Sequence, residues 1–173
     1  MLASSLKVQE QLLREHSRIF GLAAELNALL ASAIPVDPDV LAKARWSFAS
    51  ALMQHLAVKE RYIYAKLEQD RRPQVEAFYA SSKSDLLGRF AAYTQHMENW
   101  PTARALAEWS TYCPNAAAVV DRFVERLKHE ETELFETLNR FDVDISFPST
   151  VTSNWVRKAF DVKDKVHDKY KPH

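Results

Sequence analysis

Residues 55–67 read HLAVKERYIYAKL, and their apolar spacing is typical of an amphipathic helix. With positions upstream they form one apolar seam: Phe48, Leu52, Leu56, Ile63 and Leu67. This seam predicts a helix over about residues 40–70. His55 follows Leu52 by three residues and Lys59 precedes Ile63 by four, so both polar side chains interrupt the core side of the helix.

A second stretch with the same character lies near the other end of the chain. Residues 126–138 read RLKHEETELFETL, within a helix predicted over about residues 115–139. Glu130 follows Leu127 by three residues, and Arg126 stands one turn before Glu130. Arg126 and Glu130 are therefore predicted to face inward.

Two further helices are predicted, over about residues 5–32 and 74–99, with a short helix or turn over 102–112. Prolines separate the helical segments: Pro35, Pro38, Pro73, Pro101 and Pro114. Pro114 is expected in the first turn of the last long helix, where its missing N–H is tolerated.

Short loops between long amphipathic helices favour antiparallel neighbours. We therefore expect an all-α fold, an up-down-up-down antiparallel four-helix bundle over residues 1–140. Residues 141–173 are expected to form a C-terminal extension that is packed on the bundle or partly flexible. Trp155, Val156 and Phe160 lie on a short predicted helix in it, which covers the bundle or binds a protein partner.

Composition excludes several classes of function. The chain has 173 residues, a formal net charge of +0 and only 2 glycines, which argues against Gly-rich phosphate loops and against nucleic-acid binding. Cys113 is the only cysteine, so neither an internal disulfide nor a thiolate cluster is expected. No stretch is apolar enough to span a membrane. We expect a cytoplasmic protein and leave its oligomeric state and any protein partner open.

The polar residues of the seams are predicted to lie at one height of the bundle. His16 lies 16 residues before Ser32, and His55 lies 16 residues after Asp39, so both stand about 24 Å from the predicted turn at about 1.5 Å per residue. Buried ionisable groups are costly unless they are paired or bind a metal ion. The shared height therefore points to a functional or ion-paired centre.

Residues 55–67 and 126–138 resemble the two HHE motifs of hemerythrin-like cation-binding domains. The stretch LLREHSRIF, residues 12–20, resembles the first helix of that family, which carries a single ligand histidine. The resemblance covers about residues 12–139. It implies a helical bundle whose core holds two irons and binds or senses dioxygen.

By this resemblance, His16, His55 and Glu130 match metal ligands. Lys59 stands where the first motif has its bridging carboxylate, and Arg126 stands where the second motif has its histidine. Ammonium and guanidinium groups only donate hydrogen bonds and do not ligate cations at neutral pH. Lys59 and Arg126 are thus predicted to form a polar core in place of ligands, and Glu60 and Asp85 are additional candidate ligands.

Three interpretations follow. The first is a non-enzymatic hemerythrin-like bundle without a cofactor, which has lost di-iron binding and acts as a sensor, regulatory or interaction module. In it, Glu130 pairs with Lys59 or Arg126. The alternative is a protein that binds one or two irons and senses dioxygen or nitric oxide through a non-standard site of His16, His55 and Glu130. An enzyme with a single metal ion ranks last, because nothing in the sequence indicates an organic substrate.

Overall fold

The computed structural model describes residues 2–151, with side chains from residue 5 onward. Every regular element in this part of the chain is helical, which confirms the all-α fold class. The elements are α1 (Leu2–Leu30), α2 (Pro38–Lys59), a π-helical segment (Glu60–Tyr64), α3 (Ala65–Gln69), α4 (Pro73–Asn99), α5 (Thr102–Ala107) and α6 (Trp109–Arg140). None of the helices in residues 2–151 is both long and apolar enough to cross a membrane.

Helix starts follow the proline pattern. Pro38 is the first residue of α2, and the Asp37 carboxylate accepts the amide protons of Asp39 and Val40 at 2.9 and 3.3 Å. Asp37 therefore caps the helix by satisfying amides that have no intrahelical partner. Pro73 likewise opens α4.

The start of α6 differs from the prediction. The helix begins at Trp109 rather than Asn115, and Pro114 lies inside it rather than in its first turn. The buried indole of Trp109 donates its Nε1–H to the Ser32 carbonyl at 2.8 Å. This hydrogen bond anchors the first turn of α6 to the loop after α1.

The helix predicted over residues 40–70 is interrupted by the π-helical segment Glu60–Tyr64. A π turn carries one extra residue and rotates the side chains that follow. Lys59 and Glu60 are consecutive, yet both are buried, as are Ile63 and Tyr64. The segment thus broadens the buried face of the helix directly beside the polar core.

Contacts between long helices show their relative directions. On α1 and α6, His16 contacts Glu131 and Asn27 contacts Asp121, so residue numbers rise along one helix and fall along the other. On α4 and α6, Asp85 contacts Arg126, whereas His96 stacks on Tyr112 further along. Both pairs of helices therefore run antiparallel.

One end of the bundle is closed by an aromatic cluster around a buried arginine. Arg45 donates to the carbonyl of Trp100 at 2.8 Å, and its guanidinium lies 5.8 Å from the centre of the Tyr112 ring. His96 stacks on Tyr112 with 6.1 Å between ring centroids. Burial, with a further contribution from Arg45, lowers the pKa of His96 to about 4.

Residues 141–151 are irregular and return to the bundle. Ile145 is buried, the Ser149 amide donates to the Arg61 carbonyl at 2.7 Å, and Lys66 donates to the Asp144 carbonyl. The predictions for Trp155, Val156 and Phe160 concern residues outside the described range.

Candidate metal centre

Two histidine rings from different helices meet in the core. His16 on α1 and His55 on α2 are both buried, and their Nε2 atoms lie 3.0 Å apart. Apolar residues three and four positions away, such as Leu12 and Ile19 around His16, are buried on the same faces. The helical spacing that predicted both histidines to face inward therefore places them correctly.

The carboxylate of Glu130 on α6 completes a group of three. Its Oε2 atom lies 3.8 Å from Nε2 of His16 and 3.8 Å from Nε2 of His55. One ligand atom from each residue lies within 4.8 Å of the other two. The structure thus brings together the three residues that the sequence predicts as metal ligands.

Lys59 forms a buried ion pair with Glu130. Its Nζ atom lies 2.7 Å from Oε1 and 2.8 Å from Oε2 of the carboxylate. Burial alone would lower the pKa of Lys59, but the adjacent carboxylate raises it above its ordinary value. Burial alone would raise the pKa of Glu130, but Lys59 holds it well below its ordinary range. Both side chains are therefore charged at neutral pH.

The surroundings of His16 favour its neutral form. Burial lowers the pKa of His16, and the neighbouring His55 lowers it further, against the opposing effect of Glu131. A neutral imidazole keeps one nitrogen with a free lone pair, which is the form that binds metal ions.

Two outer carboxylates contact the histidines. Glu131 Oε1 lies 3.1 Å from Nδ1 of His16, and Glu15 Oε2 lies 2.9 Å from Nδ1 of His55. Sequence reasoning missed both residues, although the helical spacing could have found them: Glu15 lies three residues after Leu12, and Glu131 lies three residues before Leu134. Each is also adjacent in sequence to a predicted ligand, Glu15 to His16 and Glu131 to Glu130. The glutamate side chain is long enough for Glu15 on α1 to contact His55 on α2, and for Glu131 on α6 to contact His16 on α1.

A sequence model of the hemerythrin HHE cation-binding domain matches residues 7–138. The chain belongs to this hemerythrin family. The resemblance found in the two motifs is thereby confirmed. Neither the curated proteins nor the solved structures contain a match to the chain.

The two-iron centre of hemerythrin-like domains does not fit these residues. In the described part of the chain, a single carboxylate, Glu130, converges with His16 and His55. Both of its oxygens already accept hydrogen bonds from Lys59, which cannot act as a ligand while it is charged. A single cation fits better, because two imidazole nitrogens and one carboxylate oxygen form a recognised donor set for one transition-metal ion.

Arg126 lies at the edge of this hemerythrin-type core rather than inside it. Its side chain is 23% exposed, and its Nε atom lies 3.9 Å from Glu130 and 3.5 Å from Asp85. Its Nη1 donates to Glu133 at 3.2 Å. The prediction that Arg126 faces inward is therefore only partly met, because carboxylates at the surface hold the guanidinium there.

Glu60 and Asp85, the two additional candidate ligands, lie apart from the three converging ligand atoms. Asp85 is exposed and accepts a hydrogen bond from Arg89. Glu60 is buried in the π-helical segment, next to Lys59, but it is not a member of the converging group.

A cavity of about 20 Å³ adjoins the site on the side of α4. His55, Lys59 and Glu130 line its polar end, and its other walls are mainly apolar. A space of this size holds about one water molecule. The cavity therefore offers a small ligand a position beside the polar core.

Proposed function

We propose that this protein is a non-enzymatic hemerythrin-family module that binds one divalent cation instead of two irons and serves in sensing or regulation. The observation that carries the proposal is the contact of Lys59 with both oxygens of Glu130. This ammonium supplies a fixed positive charge beside the bridging position, so a second metal ion would meet repulsion there.

The balance of charge supports a single divalent cation. Lys59 and Glu130 cancel each other, and the charge of Arg126 is balanced by Asp85 and Glu133. Glu15 and Glu131 then contribute two negative charges, at the outer nitrogens of the two histidines. A divalent cation between His16 and His55 would neutralise them.

The donor set supports a first-row transition metal ion such as iron or zinc. Imidazole nitrogen and carboxylate oxygen are ligands that these ions accept. His16, His55 and Glu130 would hold the ion, and the ion would supply an open coordination position for a small molecule. Dioxygen or nitric oxide sensing is the form of this function that the family resemblance suggests.

A metal-free polar core is the second candidate function. It is favoured by the same ion pair, because Lys59 and Glu130 satisfy each other without any cation. In that case the bundle keeps the hemerythrin architecture and acts through contacts with a partner.

We further propose the architecture in which this function operates. The four long helices follow each other up, down, up and down within residues 1–140, and residues 141–173 form an extension. The antiparallel contacts of α6 with α1 and with α4 support this order. A cytoplasmic location suits the single cysteine, Cys113, because reducing compartments keep thiols unpaired.

Elemental mass spectrometry tests the proposal. Iron and zinc are measured per chain on protein expressed with added iron and purified without chelator. We expect one metal ion per chain in the wild type and none in His55→Ala. His129→Ala is the matched control, because His129 is exposed. Two metal ions per chain would contradict the proposal, and a folded protein with none would support the metal-free core.

A further inference from the structure

The outer carboxylates and the histidines form a crossed pattern between three helices. Glu15 is on α1 but contacts His55 on α2, at 2.9 Å. Glu131 is on α6 but contacts His16 on α1, at 3.1 Å. Each histidine is therefore oriented by a carboxylate from a neighbouring helix, and both contacts are made by the Nδ1 atom.

These contacts determine which nitrogen carries the proton. An ionised carboxylate only accepts hydrogen bonds, so each Nδ1 atom must donate its N–H. A neutral ring protonated on Nδ1 has its free lone pair on Nε2. Most histidines without such partners are free to place the proton on either nitrogen.

The two lone pairs then face each other. The Nε2 atoms of His16 and His55 lie only 3.0 Å apart, and Glu130 Oε2 lies 3.8 Å from each. When both rings are neutral and protonated on Nδ1, neither Nε2 carries a proton that could bridge the 3.0 Å contact, so the two lone pairs repel each other unless a cation lies between them. The metal-free site is therefore preorganised for a cation.

We infer that Glu15 and Glu131 are the positioning residues of this site: they hold the Nδ1 protons of His55 and His16 and so direct both Nε2 lone pairs at one cation position. The cation itself rests on the proposed function, whereas the proton positions do not. Partners of this kind tune many metal sites, because they fix both the tautomer and the orientation of the ring.

Glu15 is the more firmly held of the two carboxylates. Its Oε1 atom accepts a hydrogen bond from Gln11 at 3.1 Å while Oε2 contacts His55. Its side chain is 24% exposed, compared with 34% for Glu131. Loss of Glu15 is therefore expected to have the larger effect.

The first experiment measures the tautomers in metal-free protein. Long-range proton–nitrogen correlation spectra of the imidazoles are recorded at about pH 8, above the ordinary histidine pKa of about 6.5. We expect both rings to carry the proton on Nδ1. In Glu15→Ala, His55 alone should move toward the Nε2-protonated form, and in Glu131→Ala, His16 alone should do so. Glu15→Gln should restore the wild-type spectrum, because its amide oxygen can accept the same proton.

The second experiment titrates the same proteins with Co²⁺ alone and follows its visible absorption. Affinity should fall about tenfold to a hundredfold in Glu15→Ala and Glu131→Ala. Glu10→Ala and Glu125→Ala are matched controls on the same two helices, with exposed side chains, and should bind as the wild type does.

The outcomes distinguish the positioning role of Glu15 and Glu131 from cation binding. The positioning role would be overturned if the wild-type rings are protonated on Nε2. It would also be overturned if the tautomers do not change in the alanine variants. Tautomers that respond as expected in a protein that binds no Co²⁺ would support the positioning role and contradict cation binding.

Discussion

The ammonium of Lys59 lies within 2.8 Å of both carboxylate oxygens of Glu130, and both side chains are buried. The pair joins α2 to α6 at the height of the two histidines. Since burial removes both charges from water, each charge depends on the other. Several consequences of this contact and of the surrounding core can be measured.

Removal of one partner of this pair should strongly destabilise the fold. Glu130→Ala leaves the Lys59 ammonium buried without a counter-ion, so the free energy of unfolding should fall by about 3–5 kcal/mol. Denaturant unfolding of metal-free protein measures the change.

The double variant Lys59→Met/Glu130→Leu should recover most of this loss, because no charge remains in the core. Lys128→Ala is the matched control: it breaks an exposed pair with Glu125 and should change stability by less than about 1 kcal/mol. If Glu130→Ala lowers the free energy of unfolding no more than this control does, the buried pair is not important for stability.

Reversal of the charge at Lys59 should make stability depend on metal. Lys59→Glu puts a second carboxylate beside Glu130, so the metal-free protein should have a lower melting temperature than the wild type, because like charges repel in a buried site. Added Zn²⁺ or Co²⁺ should raise the melting temperature again and bind in a higher ratio per chain than to the wild type.

Lys59→Gln provides the comparison, since it removes the ammonium without adding a negative charge. It should show a much smaller response to metal than Lys59→Glu. An equal response of the two variants would mean that charge at this position does not limit metal binding.

His96 should make the fold less stable in mild acid. Its pKa is lowered from 6.5 to about 4 in the folded protein, so the unfolded chain binds the extra proton between these values. The stabilising contribution of the neutral ring is full above pH 6.5 and is lost as the pH falls toward 4. The loss should be about 1–3 kcal/mol for this half-buried ring and absent in His96→Gln. Denaturant unfolding across this pH range, on both proteins, measures the difference.

Arg45 should account for part of that pKa shift. Arg45→Met removes a positive charge near His96, so the pKa of His96 should rise toward its ordinary value. Titration of the His96 ring by NMR tests this directly. Arg104→Met is the control, because Arg104 is exposed and pairs with Glu108. An unchanged pKa in Arg45→Met would leave burial as the sole cause.

The cap of α2 should contribute measurably to stability. Asp37→Ala removes the acceptor for two amide protons, so the free energy of unfolding should fall by about 0.5–2 kcal/mol. Asp39→Ala, within the first turn, removes only a favourable interaction with the helix dipole and should have a smaller effect. Thermal unfolding ranks the two variants, and a larger effect of Asp39→Ala would contradict the assignment of Asp37 as the cap.

The helices and the three converging residues could be predicted from the sequence with little error. The helical period determines which side chains share a face, and His16, His55 and Glu130 share their faces with buried leucines and isoleucines. The start of α6 could not be predicted, because Trp109 is held by the Ser32 carbonyl, which is distant in the chain.

The choice of partner for Glu130 also remained open in the sequence. Lys59 and Arg126 each stand one turn from a ligand candidate, and spacing alone cannot rank them. The tertiary structure favours Lys59, because Asp85 and Glu133 hold Arg126 near the surface. The π-helical segment was likewise unpredicted, since its apolar spacing is close to that of an α-helix.

The sequence by itself therefore determined the all-helical fold, the hemerythrin family and the inward-facing histidines, because periodicity and motif spacing are local properties of the chain. Only the tertiary structure decided which carboxylates orient those histidines. Glu15 and Glu131 lie at the partly exposed edges of the apolar faces, and their contacts depend on how closely neighbouring helices pack. A long side chain at such a position faces either solvent or the next helix, and the distance between the helices determines which.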